Sequence, residues 1–343
     1  MIERVLVVGL GSIGKRHLRI LQDLMPIADI RVLRHRESSD ITDITNGCFS
    51  TIEEATAFLP QIAVVANPAP FHINIAMDLV SVGCHLLIEK PISVDTNGII
   101  ELIDAARNNN ALIQLGYNLR FHTSLVHFRS LIHEGKIGRV LSVRSEIGQY
   151  LPTWRPDSDY RSGVSARKEL GGGVLLELSH ELDYLRWIFG EVTKVSAILC
   201  KQSDLEIDVE DSAFITLQFA SSKDEPGPVV SLCMDFVRHD TARTCVVIGS
   251  LGTLRWNALD GMVEYWKEGS TEWETVFHHQ YQRDDTYRSE WKHFLDCIGR
   301  KETLRVTAED GLVVMRVIEA TRISSVLEGK SIAVQHNNDG EIV

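Results

Sequence analysis

MIERVLVVGLGSIG, residues 1–14, decides the fold. The valine-rich run at residues 5–8 reads as a short buried strand, followed by Gly9, Gly11 and Gly14 and an amphipathic helix that opens near Ser12. Strand, glycine turn and helix N-terminus in this order form a cradle for a dinucleotide pyrophosphate. Gly9 permits the tight turn, Gly11 lets the backbone approach the phosphates, and Gly14 lets the helix pack closely on its strand. The N–H groups of the first helical turn have no helical partner and face the anion. Gly9, Gly11, Ser12, Ile13 and Gly14 are therefore the expected cofactor-binding residues of this loop.

Working outward, strand and helix alternate as far as residue 120. Strands are expected at 30–33, 61–66, 85–88 and 112–116, with helices at 52–59, 71–82 and 96–108. The segment QIAVVA, residues 61–66, is nearly all apolar, as in a parallel strand buried on both faces. It ends at Asn67-Pro68-Ala69-Pro70, where neither strand nor helix can continue. These elements make an α/β, doubly wound parallel sheet, a Rossmann domain spanning residues 1–120. Beyond it the texture changes. A helix at 124–134 is followed by strands at 140–149, 194–200, 213–219, 229–237, 244–249 and 263–266, interrupted by helical segments at 175–188 and 287–298. SSKDEPGP, residues 221–228, reads as a hairpin loop, and a long helix at 307–328 closes the chain. Short polar turns between strands predict a mainly antiparallel sheet in a second, α+β domain over residues 121–343.

The whole-chain numbers narrow the function. A chain of 343 residues with 44 % hydrophobic composition is long enough for two domains with real cores. Its 35 basic against 47 acidic residues leave a net charge of −12, which disfavours nucleic acid as a partner. No apolar run is long enough to span a bilayer, and the N-terminal apolar stretch runs straight into the glycine loop without a signal peptide's basic flank or cleavage site. The expectation is a cytoplasmic protein with no membrane partner. Six cysteines are scattered singly without a CxxC pair, so they read as reduced core residues, and no metal is expected.

The cofactor's phosphate preference is written at the end of the second strand. NAD-selective sites usually place an acidic residue there for the ribose 2′-hydroxyl. This chain has Arg34-His35-Arg36, then Ser38 and Ser39. Guanidinium groups pair with a 2′-phosphate through charge-assisted hydrogen bonds, so the sequence favours NADP over NAD. The competing reading makes Arg34 and Arg36 solvated charges and gives the acidic role to Glu37 or Asp40.

Five ordered motifs carry a resemblance: GLGSIGKRH at 9–17, NPAPFH at 67–72, EKP at 89–91, GYNLRF at 116–121 and GGGVLLELSHELDYLRW at 171–187. Together they resemble the glucose-fructose oxidoreductase, inositol dehydrogenase and rhizopine-catabolism (Gfo/Idh/MocA) family over essentially the whole chain. The resemblance implies a C-terminal domain with an open, mainly antiparallel sheet that binds substrate and mediates homodimers or homotetramers. It implies tightly held NAD(P) and redox chemistry at carbinols of sugars, sugar derivatives or cyclitols. It assigns Lys90 as catalytic and adds Asn67, Pro68, His72, Glu89 and Lys90 to the cofactor-binding residues. The chemistry agrees for Lys90, since hydride transfer at a carbinol needs a cation or acid beside the oxygen. A lysine after a parallel strand also faces the crevice where such sheets bind ligands.

By the same resemblance His180 faces the substrate as general acid/base, a task suited to a group that titrates near neutrality. It lies in an apolar helical run with Glu177, Asp183 and Tyr184, and Glu177, His180 and Tyr184 are expected to share one face at i, i+3 and i+7. One departure stands out: the family usually has an aspartate four residues before this histidine, whereas here a glutamate, Glu177, lies three before it; either Glu177 substitutes with its longer arm or that acidic role is lost, and Glu177 and Asp183 are candidate catalytic or substrate residues. Asn118 falls beside the nicotinamide end of the expected cleft, and Tyr117 and Arg120 read equally as substrate contacts or as packing and ion-pair residues. Arg155, Arg161, Arg167 and Lys168 hint at an anionic, for example nucleotide-linked, substrate, although Asp157, Asp159 and Glu169 nearly cancel them. The expected activity is an NADP- or NAD-dependent oxidoreductase acting on a small sugar-like substrate. The alternatives are a cofactor- or sugar-sensing regulator without turnover, or a diol, aldehyde or biliverdin-type reductase of the same family.

Overall fold

A computed structural model describes residues 2–34, 45–156, 158–221, 226–280 and 282–335. The chain forms two compact units, Met1–Phe121 with Arg283–Leu312, and His122–Gln282 with Val313–Val343. The reading from sequence drew one boundary after residue 120; the structure adds a returning segment from late in the chain to the first unit.

The first unit begins with β1 (Arg4–Val8), α1 (Ser12–Leu24), β2 (Asp29–Leu33), β3 (Gly47–Phe49), α2 (Ile52–Ala57), β4 (Ile62–Val65), α3 (His72–Ser81), β5 (His85–Ile88), α4 (Ile99–Asn108) and β6 (Ile113–Leu115). Its six strands pair in parallel in the order β3-β2-β1-β4-β5-β6. β1 is central, with Val5 in register with Ile30 on one side and Ile62 on the other. That position explains its uninterrupted apolar run: a strand flanked on both edges and covered on both faces has no outlet for a polar side chain. On α1, Gly14, His17, Leu18 and Leu21 are buried, the i, i+3, i+4, i+7 stripe of a helix lying on a sheet. α2 starts at a reciprocal capping box between Thr51 and Glu54. The short edge strand β3 was missed because its three residues, Gly47-Cys48-Phe49, carry no alternation to read.

The second unit holds α5 (Thr123–His133), β7 (Val140–Gly148), α6 (Val174–Glu177), α7 (His180–Phe189), β8 (Val192–Cys200), β9 (Ser212–Phe219), β10 (Val229–Asp235), β11 (Ala242–Gly249), β12 (Gly252–Asn257), β13 (Met262–Lys267) and β14 (Glu274–His278). After α8 (Asp285–Ile298), which belongs to the first unit, α9 (Ala308–Val326) and β15 (Ile332–Ala333) end the described chain. The nine-stranded sheet runs β14-β13-β12-β11-β7-β10-β9-β8-β15. Its pairs are antiparallel except β7 with β10, so the expectation of a mainly antiparallel sheet holds. β9 alternates strictly from Phe214 onward, burying Ala213, Ile215, Leu217 and Phe219 while Phe214 stays exposed. Trp256 on β12 is fully buried; its indole N–H donates to Ser124 Oγ at 2.8 Å, and its ring meets Tyr184 edge-on at 5.4 Å. Ser324 and Ser325 near the end of α9 accept the N–H groups of Ala197 and Leu199, each at 2.8 Å, fixing that helix to β8. The Ser221–Pro228 hairpin reading joins antiparallel β9 and β10, but residues 222–225 of it lie outside the described residues.

The expected continuous helix at 175–188 is two helices. α6 ends at Glu177, Leu178 leaves helical geometry at φ −102° and ψ 22°, and Ser179 starts α7. Apolar periodicity does not register a break one or two residues long, because the hydrophobic positions on either side remain buried.

α8 explains the long-range organisation of the first unit. Trp291 and Phe294 enter the same apolar cluster as Val5, Leu18, Ile20, Ile62 and Leu87, and Arg16 pairs with Asp284 at 3.2 Å just ahead of the helix. Beside Trp291, Glu290 is fully buried, and burial, then the nearby Glu89 charge, pushes its carboxyl well above the ordinary glutamate value. A raised folded value means that this carboxyl costs no stability in acid and costs more as pH rises past the unfolded glutamate value. No helix among the described residues is long and apolar enough to cross a membrane. Glu290→Gln, which does not titrate, is expected to raise denaturant stability by about 1 kcal/mol or more at pH 8 and to leave it unchanged near pH 4. An equal change at both pH values in urea titrations would show that Glu290 is not held protonated by the fold.

Candidate active site

The glycine loop is built as its sequence demands. Gly9 lies at φ +86°, where an added Cβ would sit 3.0 Å from the Ala66 carbonyl oxygen and the Asn67 nitrogen. A Cβ on Gly14 would lie only 2.1 Å from the Gly9 carbonyl oxygen, so α1 approaches the turn as closely as backbone allows. Over Gly11, by contrast, a Cβ would meet nothing within 4 Å. Gly11 caps α1 without a side chain, and the first turn has no acidic residue. The N–H groups of Ser12, Ile13 and Gly14 are thus left for an anion above Gly11. The side-chain oxygen of Asn67, at the end of β4, is buried without a hydrogen-bond partner and can accept a donor from a bound ligand. Open backbone, an uncapped helix start and a waiting acceptor fit a dinucleotide.

Other expected cofactor residues have different settings. Arg34 leaves β2 with its N–H on the Phe49 carbonyl at 3.0 Å, whereas His35, Arg36, Glu37 and Asp40 lie outside the described residues. Pro68 leads into a single 3-10 turn, Ala69–Phe71. His72 is buried, with Nε2 2.7 Å from the Asn67 carbonyl oxygen and Nδ1 3.0 Å from that of Pro91. Burial lowers its pKa against the pull of those carbonyls, and both ring nitrogens face the protein, so His72 braces the segments around Asn67 and Lys90. Lys90 is half-buried at the end of β5, and the following peptide bond to Pro91 is cis. Its N–H donates to Glu89 Oε2 at 3.2 Å, while Glu89 Oε1 accepts from His17 Nε2 at 2.8 Å. Burial opposes ionisation of Glu89, but the His17 hydrogen bond and the Lys90 charge outweigh it and hold the carboxyl below its ordinary value.

The GYNLRF segment is packed within the first unit. Tyr117 is fully buried, and Asn118 Nδ2 donates to Thr286 Oγ1 at 3.0 Å. Arg120 is buried, donates to the Arg305 carbonyl at 3.0 Å and pairs with Asp310 at 3.3 Å. Tyr117 and Arg120 thus have packing and ion-pair contacts within the first unit.

On the second unit, the helix break changes the expected face. Glu177, the last residue of α6, accepts from Ser165 Oγ at 2.8 Å, and half-buried His180 opens α7. Tyr184 is fully buried and hydrogen-bonded to Ser145 Oγ at 2.6 Å, so the single helical face of Glu177, His180 and Tyr184 is not formed. Asp183 is also fully buried, and Glu181 pairs with Arg243 at 2.9 Å. Near Arg243, burial and then the Arg243 charge push His122 down to about 4. In the basic loop, Arg161 pairs with Asp159 at 2.9 Å and with Glu206 at 3.4 Å, and Arg167 donates to the Arg161 carbonyl at 2.7 Å. Asp157 lies outside the described residues.

Comparison with known families matches both parts of the chain. An oxidoreductase-family NAD-binding Rossmann fold matches residues 3–117, and that family's C-terminal alpha/beta domain matches residues 129–334. The chain belongs to the Gfo/Idh/MocA family. It is an NAD-binding oxidoreductase. Among the relatives of this Gfo/Idh/MocA protein, an uncharacterized oxidoreductase, YrbE, of Bacillus subtilis (strain 168) is 25 % identical over 357 residues, covering 96 % of each chain. Inositol 2-dehydrogenase 2 of Saccharopolyspora erythraea is 25 % identical over 354 residues, covering 96 % of this chain and 94 % of that one. A levoglucosan dehydrogenase complex with NADH shares the fold at a TM-score of 0.85 and 19 % identity, over 98 % of this chain and 100 % of that chain.

The sequence reading of this Gfo/Idh/MocA oxidoreductase missed His17, Trp291 and Glu290, the buried groups around Glu89. His17 was quoted in GLGSIGKRH, and its place three residues after Gly14 sets it on the buried face of α1. Nothing local connects it to residues 290 and 291. Gly14→Ala is expected to force α1 away from Gly9, lowering stability by about 1–3 kcal/mol and weakening NADH binding at least about tenfold. Unchanged affinity in a fluorescence titration of that variant would show that the α1 approach does not shape the nucleotide site.

Proposed function

We propose that this oxidoreductase interconverts a carbinol and a ketone on a sugar, sugar derivative or cyclitol. The observation that carries the reading is Lys90, half-exposed at the carboxyl end of a parallel strand with a buried, ionised carboxylate and a backbone hydrogen bond behind it. Ligands of open parallel sheets bind beyond the carboxyl ends of the strands. The relative named inositol 2-dehydrogenase 2 supports a polyhydroxylated substrate. When bound, the nicotinamide supplies the hydride acceptor in oxidation and the donor in reduction. In oxidation Lys90 stabilises the developing alkoxide and His180 accepts the hydroxyl proton; in reduction the roles reverse. Glu177, held by Ser165, is the acidic residue nearest in sequence before His180 and takes the place of the family's usual aspartate.

The cofactor proposed is NADP(H), on the strength of Arg34-His35-Arg36 after β2 and the lack of an acidic residue at these three positions. Similar structures in complex with NADH or NAD, among them GenD2 from gentamicin A biosynthesis at a TM-score of 0.80 and 25 % identity, supply the competing choice. Two or four copies are proposed to associate through the exposed sheet face, where Ile198 and Phe214 are register partners.

Titrations at equal salt are expected to give tighter binding of NADPH than of NADH; the reverse order would assign the acidic role to Glu37 or Asp40. Lys90→Met is expected to keep reduced-cofactor affinity within about threefold while lowering turnover on a panel of sugars and cyclitols by about 10²–10⁴. Full turnover in that variant would remove Lys90 from the chemistry. Cofactor binding by the wild type with no turnover of any carbinol, aldehyde or diol would favour a sensor.

A further inference from the structure

Two glutamates are buried near one another in charge terms in the first unit, and the fold treats them in opposite ways. Glu89 has a hydrogen bond on each oxygen, from His17 Nε2 at 2.8 Å and from the Lys90 N–H at 3.2 Å. Both side-chain oxygens of Glu290 are buried without a hydrogen-bond partner. An ionised carboxylate in that state would be far more costly than a protonated one, and the Glu89 charge adds to the cost.

The hydrogen bonds leading to Glu89 have a direction. Trp291, which follows Glu290 on α8, donates its indole N–H to His17 Nδ1 at 2.8 Å. An indole nitrogen can only donate, so Nδ1 is the ring's acceptor and its proton sits on Nε2, where it is donated to Glu89. The chain therefore runs from α8 through α1 to the end of β5 and finishes on the backbone of Lys90. Space has been cleared for it at Gly116, where a Cβ would lie 3.0 Å from Glu89 Oε2 and 3.1 Å from Glu89 Cα. The surrounding groups are His72 on α3, Lys90 itself, and Tyr287 on α8, over whose ring the Arg16 guanidinium lies at 4.8 Å.

We propose that Trp291, His17 and Glu89 form a positioning device for Lys90, fixing its backbone and placing a single carboxylate charge behind its ammonium. Glu89 is in this account a positioning residue and not a cofactor ligand. The inference rests on the reading of Lys90 as the cation beside the carbinol oxygen. A lysine displaced by about 1 Å from that oxygen loses on the order of a hundredfold in rate, which is the reason to brace it from behind.

The test uses the full chain and four variants: Glu89→Gln, His17→Gln, His17→Leu and Trp291→Phe. A glutamine at 17 presents an amide donor near the Nε2 position, whereas leucine fills space without a donor. Lysines are acetylated competitively with trace acetic anhydride at one pH, and Lys90 is read by peptide mass spectrometry against the other lysines. Losing the carboxylate, or the His17 bond that holds it in place, frees the backbone N–H of Lys90 and lets its side chain move toward solvent and the reagent. Lys90 is expected to label about threefold faster in Glu89→Gln and His17→Leu, and at the wild-type rate in His17→Gln. Trp291→Phe, which keeps an aromatic ring and removes only the donor, is expected to fall between them. Melting curves and NADPH binding identify variants that fold, and Trp291→Phe with Glu89→Gln decides the matter if His17→Leu does not. On any carbinol that the wild type turns over, His17→Leu is expected to lower kcat by about tenfold or more with KM for the cofactor unchanged, and His17→Gln to restore it.

Wild-type labelling of Lys90 in every folded variant would overturn the proposal, as would identical behaviour of the glutamine and leucine variants at position 17. Labelling needs no substrate. A wild type that oxidises or reduces nothing would therefore sink the reading of Lys90 as catalytic, while the labelling ratios still decide whether the chain positions it.

Discussion

The first unit is organised around one buried carboxylate, that of Glu89. A charge in an apolar interior costs several kcal/mol unless hydrogen bonds and opposite charge replace the water it has lost. Here the replacements come from three distant parts of the sequence: His17 on α1, the N–H of Lys90 beside it, and Trp291 on α8, which orients the imidazole. The requirement to satisfy Glu89 explains why a polar histidine lies on the buried stripe of α1, why α8 crosses to this unit, and why residue 116 has no side chain. Removing His17 would strip a partner from both Trp291 and Glu89, whereas removing the Trp291 donor leaves the His17–Glu89 bond in place.

The glycine loop imposes the second constraint, a steric one. The 2.1 Å separation that a Cβ on Gly14 would have from the Gly9 carbonyl leaves room only for hydrogen at that position. Close packing there brings the uncapped start of α1 next to the open backbone of Gly11. A helix dipole and the N–H groups of the first turn then face the same space, a setting suited to an anion without any cationic side chain in the turn. The proposed roles of Lys90 and of the glycine loop thus share α1: its first turn presents N–H groups, and its second turn supplies His17.

The second unit shows how far hydrophobic pattern carries. β9 was legible because Ala213, Ile215, Leu217 and Phe219 alternate with polar or exposed neighbours, and one buried face suffices to set that period. β12 was not, since GTLRWN has too few apolar residues to alternate; it is a strand because β11 and β13 pair with it on both edges and Trp256 anchors it to the core. The break between α6 and α7 was equally invisible. It separates Glu177 from His180, and a face assembled from the i, i+3 and i+7 positions of one helix dissolves into two settings.

By itself the sequence determined the parallel sheet, the glycine turn, the antiparallel character of the second sheet and the family, because strand burial, positive-φ turns and ordered motifs are local properties of the chain. It also singled out Lys90, whose strand and following proline are written next to it. The tertiary structure alone decided that Arg120 pairs with Asp310, that His72 braces two carbonyls, and that Glu89 answers to Trp291 while the carboxyl of Glu290 beside that tryptophan has no hydrogen-bond partner. Those outcomes join residues up to 274 positions apart. Hydrogen bonds and charge balance in a buried space depend on which elements the fold brings together, and no periodicity along the chain records that.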